Sequence, residues 1–205
     1  MIINYKNINR LKKFNFLKIK KNNNNKKILL IDRGQVEGAV FNSLCSVLLN
    51  KRYNYNIDLL INYLGKNNPI LKIYESFEID NFININIKRN YKNFMLLLKT
   101  FLIFFKTNFN ILVNQKGWFV NNFTMYDILF GDIIFDDYNR NNLNFLKKNL
   151  YNKEFQKILI VSIYKIIFLN NLISKNKYKY ILASSHTYAS NSSIGIRIAL
   201  KKGIN

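Results

Sequence analysis

Twice this chain passes from a short apolar run, through a polar turn, into a stretch of helical periodicity. That repeat limits the folds open to it more than any other feature. The first instance is Lys27–Ile31 (KILLI), the turn DRGQVEG over residues 32–38, and a helix over residues 35–50. Its apolar positions Val36, Ala39, Val40, Leu44, Val47 and Leu48 fall on one helical stripe. The second is Tyr180–Ser184, a turn holding the only histidine, His186, and a helix over Ser192–Lys202 closed by Gly203. Short Ile- and Leu-rich runs with no polar alternation suit strands buried on both faces. Strand, turn and helix in that order is how halves of nucleotide-type α/β folds are built. Gly34 and Gly38 do not make G-x-G-x-x-G, so no dinucleotide fingerprint is present.

The intervening chain continues the alternation. Strands are expected at Asn56–Asn62, at Ile79–Ile87 where period two holds over the second half, and at Asn110–Asn114. Gly65–Pro69 (GKNNP) reads as a loop. Tyr91–Lys106 predicts a helix apolar nearly all round, and residues 115–140 are irregular and aromatic. Residues 142–175 read as mainly helical, with Phe155, Leu159, Ile163, Ile166 and Ile167 inward and Lys157 and Lys165 toward solvent. The pattern predicts an α/β, Rossmann-like three-layer domain over 27–205 with a mostly parallel sheet. The right-handed crossover rule puts the turns after Ile31, Val113 and Ala183 at the carboxyl edge of that sheet. Residues 1–26 read as a basic, Asn-rich, disordered arm, with an amphipathic helix over Ile8–Ile19 as the other reading. The last residues, Gly203-Ile204-Asn205, stand where a further strand is expected, so the domain reads as truncated there.

Composition narrows the class. One cysteine, Cys45, rules out an internal disulfide framework and a cysteine-rich zinc site. It sits in the first helix among apolar neighbours and reads as a buried structural thiol. The formal charge is +21 at pH 7. The lysines are scattered, not gathered into a stripe, and the abundant Asn, Lys, Ile, Phe and Tyr share A/T-rich codons. Nucleic-acid binding is therefore disfavoured, and adhesion to anionic surfaces, membranes included, is the expected consequence. The N-terminus lacks the unbroken apolar core of a signal peptide. No uninterrupted apolar run is long enough to span a bilayer; the nearest, Phe94–Phe105, is broken by Lys99 and Thr100.

Two polar clusters are candidates for chemistry. Phe130–Arg140 (FGDIIFDDYNR) holds Asp132, Asp136 and Asp137 with Tyr138 and Arg140. Asp132 and Asp136 share a face if the segment is helical. They suit a metal or an acid–base pair; they equally suit a helix N-terminus and an ion pair with Arg140. In the second cluster His186 can act as a base or hydrogen-bond a hydroxyl or phosphate. Ser192 can cap the following helix, whose amides and Arg197 suit an anion. A capped helix with a hydrogen-bonded turn histidine explains the same residues. A lone histidine argues against a His-rich metal site.

With these motifs in view, the chain resembles bacterial surface-carbohydrate and capsule-polysaccharide biosynthesis proteins, which are similar to glycosyltransferases of the two-Rossmann-domain (GT-B) type. The resemblance runs through Ala39-Val40-Phe41-Asn42-Ser43 in the first helix and the box Gly131 to Arg140, with Phe135 in place of a tyrosine. It continues through Ser185-His186-Thr187-Tyr188 and the Gly195, Arg197, Ala199 helix. It implies an N-terminal, acceptor-side glycosyltransferase-like fragment, inactive without a second domain. It implies that Asp132, Asp136 and His186 are catalytic and that Arg140, Tyr138, Tyr188, Ser192 and Arg197 bind substrate, with no metal or cofactor. The implied partners are a sugar acceptor, a nucleotide sugar held by a missing C-terminal domain, and peripheral contact with an anionic membrane. The implied location is cytoplasmic, at the inner face of the membrane. The alternative is a basic nucleic-acid-binding protein, ribosomal or organellar.

Overall fold

The computed structural model describes residues 18–19, 26–32, 34–62, 68–86, 93–141, 150–183 and 191–204. They form two compact units. The first comprises Met1–Asn86, Asn176–Ser185 and Gly203–Asn205, and the second Ile87–Lys175 and His186–Lys202.

The first unit is built on four parallel strands: β1 (Lys27–Ile31), β2 (Asn56–Ile61), β3 (Phe82–Asn84) and β6 (Tyr180–Ala183). Their order is β3-β2-β1-β6. Leu30 lies opposite Leu59 on one side and Leu182 on the other, so β1 is the central strand of a continuous ladder. Helix α1 (Val36–Tyr53) connects β1 to β2, and α2 (Pro69–Ser76) connects β2 to β3. Both crossovers step in the same direction across the sheet, so right-handed connections put both helices on one face. There Ile28, Leu30, Ile57, Leu59 and Ile61 pack with Ala39, Val47, Ile70, Ile73 and Tyr74 in one core. Ile28, Leu29, Leu30 and Ile31 are all 0% exposed, which is why the run shows no polar alternation. Ile19 joins this core and donates its backbone N–H to Phe77 O at 3.1 Å.

The α/β class and the parallel sheet thus agree with the sequence reading. Helix α2 was not expected. Its start is encoded in Asn68-Pro69: the Asn68 side chain accepts from Ile70 N at 2.9 Å and proline takes the first helical turn. Proline read as loop chemistry was in fact a helix opener.

In the second unit the expected strand Asn110–Asn114 does not exist. It lies within α3, which runs unbroken over Phe94–Asn122. A five-residue apolar run between asparagines has no periodicity of its own to separate strand from helix, and nothing before Gly117 weakens the helix. The turn after Val113 is therefore not a sheet edge. A two-stranded antiparallel hairpin follows, β4 (Thr124–Met125) and β5 (Ile128–Leu129). Its turn residues Tyr126 and Asp127 both have positive φ, 56° and 57°, the double left-handed geometry that matches strand twist. Then come α4 (Gly131–Asn141), α5 (Lys153–Asn176) and α6 (Asn191–Lys201). Helix α5 is the core helix here, burying Phe155, Leu159, Ile163, Ile166 and Ile167 as its periodicity predicts. Phe155 stands edge-on to both Phe119 and Tyr138, with ring centroids 5.3 Å away in each case.

Candidate functional site

In open parallel sheets, ligands bind beyond the carboxyl ends of the strands, where neighbouring connections diverge. Here that point lies between β1 and β6, since β1 leads toward β2 on one side and β6 pairs on the other. The β1 exit is shaped by Asp32, which is buried. One carboxylate oxygen accepts from Gly34 N and the other from the Tyr74 hydroxyl, each at 2.6 Å. Gly34 has φ +86°, which a side chain would oppose. Burial, reinforced by the charge and hydrogen bond of Asp32, pushes the Tyr74 hydroxyl well above the ordinary tyrosine range; Asn42 pulls it back in part. The tyrosine is thus a permanent donor that fixes Asp32.

Helix α1 begins at Gln35, which is extended and makes no side-chain cap, and its first turn carries the exposed Glu37. An acid in the first turn answers the helix dipole itself. The β6 exit is residues 184–190, so His186 and Tyr188 lie outside the described residues.

Within the second unit one residue of each polar cluster meets the other. Asp132, in the first turn of α4, takes both terminal nitrogens of Arg197 from α6, at 2.8 and 2.6 Å. Arg197 also donates to the Leu129 carbonyl. The bidentate fork foreseen for a bound anion is occupied by Asp132, so the pair ties α6 to α4 and to β5. Gly131 explains the close approach of α4: a β-carbon there would lie 2.0 Å from Phe119 O.

The other residues of the box are divided by the helix. Asp136 and Arg140 are exposed. Tyr138 is 1% exposed, packs on Phe155 and pairs its hydroxyl with the Asn152 amide, which places it in the core. Ser192 is buried in the first turn of α6.

Two groups named in the sequence, Asp137 of the box and Lys165 of α5, have altered acidity. Burial raises the Asp137 carboxyl, while Lys165 and Arg140 pull it back. Burial lowers the Lys165 ammonium, while Asp137 pulls it back up. Lys165 is only half-exposed and does not reach freely into solvent as its spacing suggested. Among the described residues, no group of three His, Cys, Asp or Glu is placed to hold a metal ion.

The first unit also has a cavity of about 450 Å³, lined by Lys27, Asn56, Asp58, Glu78, Asp80 and Asn81 among others. Buried Asp58 accepts there from Lys27 Nζ at 3.2 Å, from the Tyr178 hydroxyl at 2.8 Å and from the Asn81 amide. Burial and the Asp58 contact push the Tyr178 hydroxyl upward. Lys27 and Asn56 open their strands, so this cavity is at the amino edge of the sheet. Its carboxylate is already satisfied by fixed donors, and it reads as a clasp joining β1, β2 and the approach to β6.

No protein-family model matches the chain, and no curated protein or solved structure matches it either.

Proposed function

We propose that the chain is the acceptor-side part of a glycosyltransferase-like protein of surface-polysaccharide assembly. The observation that carries this reading is the β3-β2-β1-β6 parallel order, whose switch point has an acidic β1 exit and no glycine fingerprint. The exposed Glu37 at that exit favours a ligand rich in hydroxyls over a free phosphate. The motif resemblance supplies the substrate class, and the fold is compatible with it. In this reading His186, following β6, takes the proton of the acceptor hydroxyl. The nucleotide sugar is held by a second domain. Asp132 and Arg197 act as a positioning pair that ties α6, the helix that follows His186 in sequence, to α4.

Calorimetric titration tests this. Capsule-type oligosaccharides are expected to bind at millimolar or tighter affinity, while free nucleotides do not. Paired with a donor-binding domain, the His186→Ala chain is expected to keep acceptor affinity and lose transfer by roughly 100-fold or more. Absence of saccharide binding, with RNA binding that falls steeply with salt, would reject the reading in favour of a nucleic-acid protein.

A further inference from the structure

Helix α3 is apolar on both sides: it buries Leu96, Ile111 and Phe119, yet its solvent side is apolar too. Its solvent side carries Phe94, Met95, Leu98, Phe101, Leu102, Phe105, Phe109, Leu112 and Val113, each at least 40% exposed. Its buried side includes Thr100 and Thr107, whose hydroxyls return to the helix's own carbonyls at Leu96 and Ile103. The exposed residues recur at helical spacing, so they form one stripe along roughly 28 Å of helix. Stripes of this size mark a surface that something covers.

Charge indicates what covers it. The helix contains no Asp or Glu; its ionisable residues are Lys99, Lys106 and Lys116. Lys99 and Lys106 are both exposed and, seven apart, share one flank of the stripe. Lys106 also lines a cavity of about 410 Å³ with Asn110, Asn122 and Tyr126, room for an anionic headgroup beside the apolar band. An apolar face with a basic flank is the composition of a helix lying in a membrane interface. Two antiparallel copies would bring lysine rows together with no acid to answer them, which disfavours self-pairing. The segment Phe94–Asn114 is long and apolar enough to cross a bilayer, with a mean hydropathy of 1.5. However, α4 is seated against its carboxyl-terminal end, where Phe130 N and Gly131 N both donate to Phe123 O. That attachment favours lying flat.

We propose that the exposed stripe of α3 docks on an anionic lipid bilayer, its phenylalanines in the acyl boundary and Lys99 and Lys106 at the headgroups. This is independent of the sugar-transfer reading, because vesicle binding is measured without substrate. The test is flotation of the full chain with vesicles of phosphatidylcholine alone or with phosphatidylglycerol added. The chain is expected to float with the mixed vesicles. Phe105→Ser with Phe109→Ser leaves the charge unchanged and is expected to lower partitioning roughly 100-fold. Lys99→Gln with Lys106→Gln is expected to lower it roughly 30-fold at low salt and little at high salt. If the phenylalanine pair fails to fold by circular dichroism, Leu102→Gln takes its place with roughly a tenfold loss. Unchanged flotation of a folded serine variant would overturn the proposal, leaving bulk charge as the cause. So would a lipid-free dimer that the serine variant dissolves, or resistance of the bound chain to carbonate, which indicates a spanning helix.

Discussion

Gly131→Ala and Gly117→Ala are expected to act in opposite directions. Gly117 lies inside α3, so propensity makes alanine better there by about 1 kcal/mol, whereas Gly131 opens α4, where that gain is small. At Gly117 a β-carbon meets nothing within 4 Å. There the propensity gain stands, and stability should rise by up to about 1 kcal/mol. At Gly131 the β-carbon would lie 2.0 Å from Phe119 O, 2.9 Å from Val120 O and 3.0 Å from Phe119 C, where ordinary contact begins at 3.4 Å. These are backbone atoms of α3 and cannot rotate away, so α4 must move. Overpacking of this kind costs about 2–3 kcal/mol, with little propensity gain to offset it at a helix's first residue. Urea unfolding followed by circular dichroism and by fluorescence of the sole tryptophan, Trp118 beside the contact, measures both variants. A Gly131→Ala chain as stable as the parent would refute the close approach of α4 to α3.

Three further outcomes follow from the polar contacts. Tyr74→Phe removes a donor to buried Asp32 and should cost about 1–3 kcal/mol in urea melts; no loss would show that the contact is incidental. A double-mutant cycle on Asp132→Ala and Arg197→Ala should give a coupling on the order of 1 kcal/mol that shrinks in high salt, because the pair is about a third exposed. Arg197→Lys should recover little of it, since an ammonium cannot fork across both oxygens. For Lys165 the folded value is lowered, so the unfolded chain holds the extra proton just below the ordinary lysine pKa. Stability should therefore rise as pH approaches about 10, and Lys165→Met should remove that gain. For Asp137 the folded value is raised, so its contribution is lost as pH climbs above the ordinary carboxylate range. Without Lys165 that loss should extend to higher pH; identical pH profiles would contradict the coupling.

The parts of the fold legible in the sequence are those whose signal is local and doubled. KILLI is apolar on both faces because both faces are buried; YILA, at the edge of the sheet, is only partly buried. The stripe read into α1 is not its buried face: Leu44 and Leu48 are exposed, and Asn42, Ser43, Ser46 and Asn50 are buried beside Ala39 and Val47. Helix α5, by contrast, announced itself by periodicity. Helix α3 is not legible as one helix because its two faces are both apolar or uncharged, so a run such as NILVN carries no phase. The absence of a long unbroken apolar run also hid its exposed stripe, since Lys99 and Lys106 sit beside that stripe and not across it. In the candidate site, Asp132 and Arg197 were both singled out but assigned to ligands; their partnership is long-range and leaves no spacing to read. Asp58 and Tyr178 were missed for the same reason, being 120 residues apart. Tyr138 looked like part of a polar box, yet its ring decides its place, and one hydroxyl is satisfied inside the core by Asn152.

The most direct measurement is a chemical-shift map of the isotope-labelled chain titrated with a capsule-type oligosaccharide. Binding at the sheet's switch point predicts shifts centred on Ile31, Asp32, Gly34 and Ala183, at the carboxyl ends of β1 and β6. Shifts centred on Lys27, Asp58 and Asn81, or none at saturating saccharide, would contradict it.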